Sequence, residues 1–143
     1  SWLRANRDRL GVGDTSASYH IHLPAGAVPK DGPSAGITIL VALFSLQTGQ
    51  SVRPMMAFTG ELSLLGQVLP VGGIKEKLIA AHTAGMQTVV LPKANYPAAK
   101  RCLEDEHLDG DLEILPVSSA NQVLEAAFGA LGAETNAQLV SKM

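Results

Sequence analysis

Asp31-Gly32-Pro33-Ser34-Ala35-Gly36 ends a stretch rich in glycine and proline, and the apolar run 37–46 follows directly. This boundary predicts a loop that enters a buried helix over residues 33–47. Proline suits the first helical position, because its fixed φ fits the helix and its missing N–H has no partner to lose there. Ser34 would then lie in the first turn, among backbone N–H groups that lack partners within the helix. A hydroxyl surrounded by such donors has the setting of an acyl-transfer nucleophile.

Ser34 also has a purely structural interpretation. Serine often caps a helix, because its hydroxyl accepts a hydrogen bond from an N–H group at the helix start. The small neighbours Gly32, Ala35 and Gly36 let another backbone segment approach closely, and either role permits that approach. This stretch alone therefore does not decide whether Ser34 is a nucleophile or a helix cap.

The composition indicates a single globular domain. The 143 residues are 46% hydrophobic and 17% charged, with a formal net charge of −2. Such a chain can bury one substantial core, and it lacks the basic blocks expected of a nucleic-acid-binding protein. The longest apolar run is too short to span a membrane. The single cysteine, Cys102, has no neighbours in sequence that would activate it. Because the first residue is not Met, we expect a piece of a longer protein.

Hydrophobic periodicity predicts an α/β domain, with some α+β character, in which helices pack on a mixed sheet. The predicted strands cover 19–23, 52–58, 88–91 and 112–117, and Pro54 breaks the second of them, so that its first part is an edge or a bulge. A hairpin joins 62–65 to 67–71, and further helices cover 74–84, 96–106 and 119 to about 131. We assign residues 1–131 to this domain and residues 132–143 to a mobile C-terminal tail, because the tail is polar and lies at a terminus.

Two patterns that often mark a bound ion or nucleotide are present only in part. His20 and His22 would share one face of a strand, but a metal site usually needs a third ligand, and the other histidines lie far along the chain. We therefore predict no metal. The glycine- and proline-rich loop 24–33 lacks the G-K-[ST] ending of a phosphate-binding P-loop, so we do not expect it to bind a nucleotide.

The helix predicted over 74–84 contains two lysines that could act as a base. At 100° per residue its apolar stripe is centred on Ile74 and Leu78, and Lys77 falls within that stripe. Lys75 falls near the edge of the stripe. Burial favours the neutral form of a lysine amine, which can take a proton from a serine hydroxyl. The alternative is that Lys77 extends past its neighbours to water.

Three motifs resemble the proteolytic domain of the Lon ATP-dependent proteases: the stretch 31–36 quoted above, Thr59-Gly60-Glu61, and Val71-Gly72-Gly73-Ile74-Lys75-Glu76-Lys77. Their order and spacing match, over most of the chain. The resemblance implies a compact α/β fold and a serine endopeptidase in which Ser34 is the nucleophile and Lys77 is the general base. It also implies a hexameric ring and unfolded or damaged proteins as substrates. An upstream AAA+ module would use ATP and Mg²⁺, and no cofactor is expected in this domain.

The same resemblance assigns supporting positions around the serine and lysine. Thr59 matches a position whose hydroxyl lies close to the catalytic lysine, and Asp31 matches one that interacts with this lysine in inactive arrangements. Glu61 is a further acid near the dyad. The remaining supporting positions are the neighbours of Ser34 within its motif, namely Gly32, Pro33 and Ala35.

The C-terminal Ser141-Lys142-Met143 resembles a peroxisomal targeting tripeptide, although the final Met departs from the strict form. The segment 123–128 also resembles peroxisomal Lon forms. We therefore expect the peroxisomal matrix, with the mitochondrial matrix and the bacterial cytoplasm as alternatives.

Two other functions remain open at this point. Residues 32–36 also fit the nucleophile elbow of an α/β-hydrolase esterase, in which Glu61 and His82 would have to complete the triad. The other possibility is a non-catalytic assembly module, in which Ser34 is a helix cap and Lys77 is a surface residue.

Overall fold

Helices and strands alternate along most of the chain in the computed structural model, which describes residues 2–13, 18–22 and 32–130. The helices are α1 (Trp2–Ala5), α2 (Arg7–Leu10), α3 (Gly36–Thr48), α4 (Ile74–Thr83), α5 (Tyr96–Asp105) and α6 (Ala120–Phe128). The strands are β1 (Met56–Phe58), β2 (Glu61–Leu62), β3 (Val68–Leu69), β4 (Thr88–Pro92) and β5 (Glu113–Val117). A 3₁₀ turn, Lys93–Asn95, joins β4 to α5.

Strand β4 is the centre of a three-stranded parallel sheet with the order β1-β4-β5. Met56 pairs with Thr88 on one side, and Thr88 pairs with Glu113 on the other. The last four residues of β4 are buried, as expected for a parallel strand that is covered on both faces. Strands β2 and β3 pair antiparallel in a separate small sheet. The predicted α/β class is confirmed, and the parallel and antiparallel pairs occupy two sheets.

The core is divided by the parallel sheet into two clusters. Val90 belongs to a cluster built mainly from α3 and α6, in which the ring of Phe44 is fully buried. Val89 and Leu91 belong to a second cluster built with α4 and α5. Successive side chains of a strand point to opposite faces, so β4 alone contributes to both clusters. The domain therefore has helices on both sides of one sheet.

Helix α3 begins at Gly36, and the prediction that Pro33 is its first residue was wrong. Residues 32–35 form a turn, closed by a 3.1 Å hydrogen bond from the Gly36 N–H to the Pro33 carbonyl. The Ile37 N–H donates to the Gly60 carbonyl at 3.1 Å, outside the helix. This contact with the segment after β1 competes with an earlier helix start, so Ser34 lies in the turn that precedes α3.

The two strands predicted earliest in the chain also differ from the structure. Residues 18–22 form no strand, and the side chains of His20 and His22 are exposed. Residue 23 lies outside the described part. The strand predicted from residue 52 begins only at Met56, because Pro54 and Met55 form a turn and Met55 has a φ of +56°.

The later helices and the strands β4 and β5 occur where predicted, with small differences at their ends. The hairpin predicted from 62–65 and 67–71 is shorter, since β2 ends at Leu62, β3 covers only Val68–Leu69, and Leu64 and Leu65 lie in the turn between them.

The predicted mobile tail, 132–143, lies outside the described residues. Within the described residues, no helix combines the length and the apolar character needed to cross a membrane.

Candidate active site

An open cleft of about 520 Å³ brings together Ser34, Thr59 and Lys77, which come from three separate motifs of the sequence. Ser34 precedes α3, Thr59 follows β1, and Lys77 lies on α4. The rest of the lining consists of small or apolar residues and one further threonine: Ala35, Thr38, Ala57, Phe58, Ala80, Ala81, Ala84, Met86 and Val89.

The Ser34 side chain is half-buried in this cleft and is not a helix cap. Ala35 occupies the N-cap position of α3, and the helix start receives no side-chain capping bond. Within the described residues, the Ser34 hydroxyl makes no hydrogen bond, and the backbone N–H groups of Ser34 and Ala35 donate none. Within the described part of the chain, these three groups therefore have no hydrogen-bond partner, in contrast to the N–H groups of Gly36 and Ile37.

Gly60, in the segment between β1 and β2, is hydrogen-bonded to the turn that contains Ser34 and to the start of α3. The Gly60 N–H donates to the Ser34 carbonyl at 2.9 Å, and the Gly60 carbonyl accepts from the Ile37 N–H at 3.1 Å. This approach needs a glycine at position 36, because a Cβ there would lie 2.7 Å from the backbone nitrogen of Leu62. The absence of a side chain at Gly36 thus allows the turn that contains Ser34 to be bonded directly to the neighbouring segment.

Two threonines line the cleft between Ser34 and the sheet. Thr59 is buried, and its N–H donates to the Val90 carbonyl of β4 at 3.0 Å. The Thr38 hydroxyl donates to the Phe58 carbonyl at 3.0 Å. Sequence reasoning missed Thr38. The helix predicted over residues 33–47 would have placed Thr38 on the same face as Ser34, because residues four apart on a helix share a face, although Ser34 in fact precedes α3.

Lys77 and Lys75 leave α4 in different directions. The Lys77 side chain is half-buried and lines the cleft, and its Nζ donates to the Gly72 carbonyl at 2.9 Å. Lys75 is exposed and forms a salt bridge with Glu106, just after α5. The hydrogen bond to Glu106 raises the pKa of Lys75. Lys75 is therefore held on the α5 side of the helix, where it does not line the cleft.

The other residues predicted to support the dyad do not all line the cleft. Ala35 lines the cleft, whereas Gly32 and Pro33 are exposed in the turn and do not line it. Glu61 is half-buried in β2 and also does not line the cleft. Asp31 lies outside the described residues.

The esterase interpretation needs a histidine near Ser34, and the structure provides none in the cleft lining. His82 instead contacts Asp111, with 3.1 Å between Nε2 and Oδ2. Cys102 is buried in α5, and burial raises the pKa of its thiol, which disfavours the nucleophilic thiolate. Among the described residues, no group of three or more His, Cys, Asp or Glu side chains could hold a metal ion.

Comparison with known proteins identifies the family of this domain. Residues 1–130 match the model of the Lon protease (S16) C-terminal proteolytic domain. A Lon protease of Koribacter versatilis is 45% identical over 137 residues, which make up 94% of this chain and 17% of that protein. The Lon protease of Methanosarcina barkeri is 52% identical over 116 residues, 80% of this chain and 14% of that protein.

A peroxisomal relative also matches. Lon protease homolog 2, peroxisomal, of Danio rerio is 43% identical over 153 residues, covering 100% of this chain and 18% of that protein. The chain thus spans about a sixth of the length of these relatives. The chain belongs to the family of Lon protease C-terminal proteolytic domains.

Proposed function

We propose that this domain hydrolyses peptide bonds, with Ser34 as the nucleophile and Lys77 as the general base. The main support is that both side chains line one cleft while the neighbouring Lys75 is bonded to Glu106. Membership of a protease family supports the same reaction class. The buried position of Thr59 in this cleft agrees with a supporting role beside Lys77.

In the proposed reaction, the neutral amine of Lys77 takes the hydroxyl proton of Ser34 as Oγ attacks the carbonyl carbon of the scissile bond. The N–H groups of Ser34 and Ala35 are the candidate donors to the resulting oxyanion. The tetrahedral intermediate collapses to an acyl-enzyme, and the protonated Lys77 gives its proton to the departing amine. Water, activated by the same amine, then hydrolyses the ester and restores the hydroxyl of Ser34.

The variants Ser34→Ala and Lys77→Arg test this assignment directly. Ser34→Ala removes the attacking oxygen, and Lys77→Arg replaces the base with a guanidinium that stays protonated. Each should lower kcat for a fluorogenic peptide by about a thousandfold or more, since removal of either member of such a pair disables the whole unit. The measurement is steady-state kinetics, with circular dichroism to verify that each variant is folded.

Lys75→Ala is the matched control, because it removes a lysine two residues away that does not line the cleft. Its kcat should stay within about threefold of the unmodified protein, since a solvent-exposed salt bridge contributes little to stability. Inactivity of Lys75→Ala together with normal turnover by Lys77→Arg would contradict the assignment.

The cleft lining supports a preference for an apolar substrate side chain. Beyond Ser34 and Lys77, the walls are formed mainly by alanines and by Phe58, Met86 and Val89. A charged side chain placed there would lose its hydration without gaining a partner. Protein substrates with exposed apolar segments, as in unfolded or damaged proteins, would satisfy this preference.

Ala80→Leu should narrow this cleft. Ala80 is exposed on α4 and lines the cleft, and leucine is compatible with a helix. For peptides with a bulky apolar residue before the scissile bond, we expect kcat/KM to fall about 10-fold, within the 10–200-fold range for small changes in an apolar pocket. Ala98→Leu, on the exposed surface of α5, is the control. An equal effect of both substitutions would refute the role of the cleft.

In the whole protein, we propose that this domain belongs to a hexameric ring coupled to an AAA+ module that uses ATP and Mg²⁺. This rests on family membership and on the fraction of each relative that the chain covers. A formal net charge of −2 opposes self-association only weakly. Sedimentation velocity over a concentration series should show weak association of the domain. A fully active protein that stays monomeric at high concentration would argue against a required ring.

For the compartment, we propose the peroxisomal matrix. Ser141-Lys142-Met143 and the peroxisomal Danio rerio relative support it, while the relatives from bacteria fit the bacterial cytoplasm. The mitochondrial matrix is the third alternative. In a eukaryotic cell, a fluorescent protein carrying the chain at its C-terminus should enter peroxisomes, and removal of the last three residues should abolish this. Unchanged distribution after the removal would exclude that signal.

A further inference from the structure

Asn95 binds the backbone of the loop that leads into α4. Its Oδ1 accepts a hydrogen bond from the Val71 N–H at 2.9 Å, and its Nδ2 donates to the Val71 carbonyl at 2.9 Å. Asn95 is the last residue of the 3₁₀ turn after β4, 24 positions later in the chain. Its primary amide therefore pairs with Val71 as a neighbouring strand would, and it fixes both polar groups of that residue.

The residue after Val71 provides the acceptor for Lys77. The Gly72 carbonyl accepts from Lys77 Nζ at 2.9 Å, and the Gly73 carbonyl accepts from the Lys77 backbone N–H at 3.1 Å. Gly73 has a φ of +65° and starts α4 without a side-chain cap. A rotation of the backbone at Val71 would turn the Val71–Gly72 peptide and so displace the Gly72 carbonyl, which is the next one along the chain. The position of the lysine amine thus depends on a loop that Asn95 fixes.

On the basis of the proposed function, we propose that Asn95 is a positioning residue for the general base. The chain of contacts runs from Asn95 to the Val71 backbone, from there to the Gly72 carbonyl, and from that carbonyl to Lys77 Nζ. Asn95 does not line the cleft, so it acts on the reaction through Lys77. A hydrogen bond to Gly72 leaves the lone pair of a neutral amine free to accept the proton of Ser34.

A purely structural role makes different predictions from a positioning role. If Asn95 only stabilised the fold, its loss would lower the fraction of folded protein, while each folded molecule would keep its kcat. If Asn95 orients Lys77, folded molecules lose kcat and retain KM, because the cleft walls remain in place. A misplacement of about 1 Å can cost on the order of 100-fold in rate.

Asn95→Ala and Asn95→Asp provide the test in this chain. Asn95→Ala removes both hydrogen bonds, whereas Asn95→Asp keeps the shape and the acceptor but loses the donor to the Val71 carbonyl. For both variants, we expect kcat per titrated active site to fall about 10- to 100-fold, with KM within about twofold. The rate of labelling by a fluorophosphonate, which depends on an activated serine, should fall in parallel. Urea unfolding measures the folded fraction of each sample.

Asn121→Ala is the matched control. Asn121 lies on α6, away from the cleft, and its Oδ1 accepts a hydrogen bond from Arg9 on α2. Loss of the Asn121 side chain should leave kcat and labelling within about twofold. Wild-type kcat in both Asn95 variants, or a loss explained entirely by unfolding, would overturn the positioning role. If Lys77→Arg is inactive in the same assay, either of these results for the Asn95 variants refutes the positioning role of Asn95 and leaves the assignment of Lys77 as the base intact. If Lys77→Arg is active, the assignment of the base is wrong and the positioning role fails with it.

Discussion

The arrangement of the cleft depends on two main-chain hydrogen bonds at Gly60. They join the turn that carries Ser34, and the first residues of α3, to the segment that links β1 to β2. Main-chain bonds fix the position of the backbone whatever the side chains are, but they need close approach. The missing Cβ of Gly36 provides it, because a methyl group there would meet the Leu62 nitrogen at 2.7 Å. The conformation of the turn that contains Ser34 is thus set by contact with the sheet region more than by helix propensity.

Strand β4 connects the two halves of the cleft. The carbonyl of Val90 accepts from the N–H of Thr59, and the chain just beyond β4 supplies Asn95, which binds the loop before α4. β4 is the central strand of the parallel sheet and contributes to both core clusters. The Ser34 side and the Lys77 side are therefore attached to the most buried element of the described fold. Parallel strands place their carboxyl ends at one edge, where α/β proteins commonly bind ligands.

The sequence predicted the α/β class, most later helices and strands, and the separation of the two lysines, because these features follow from local periodicity. Lys77 lies beside the buried Leu78 on the stripe that the helical period identifies, whereas Lys75 is exposed. The start of α3, the missing strand near His20 and the hydrogen bonds of Asn95 to Val71 were not predictable in this way. Each depends on contacts between segments distant in the chain, such as the bonds from Gly60 to the Ser34 turn, and periodicity carries no information about such contacts.

The alanines of α4 explain how a helix can form the wall of an open cleft without losing its own stability. Ala80 and Ala81 on α4, and Ala84 directly after its last residue, line the same cleft as Lys77. Larger apolar side chains at these positions would fill the cleft, and polar ones would change the chemistry of its wall. Alanine has the highest helix propensity of the natural residues, so α4 keeps its backbone intact while it presents a small apolar surface. Leu78 on the same helix packs in the core, where it is 1% exposed. One short helix thereby holds the lysine, leaves room beside it and remains attached to the sheet.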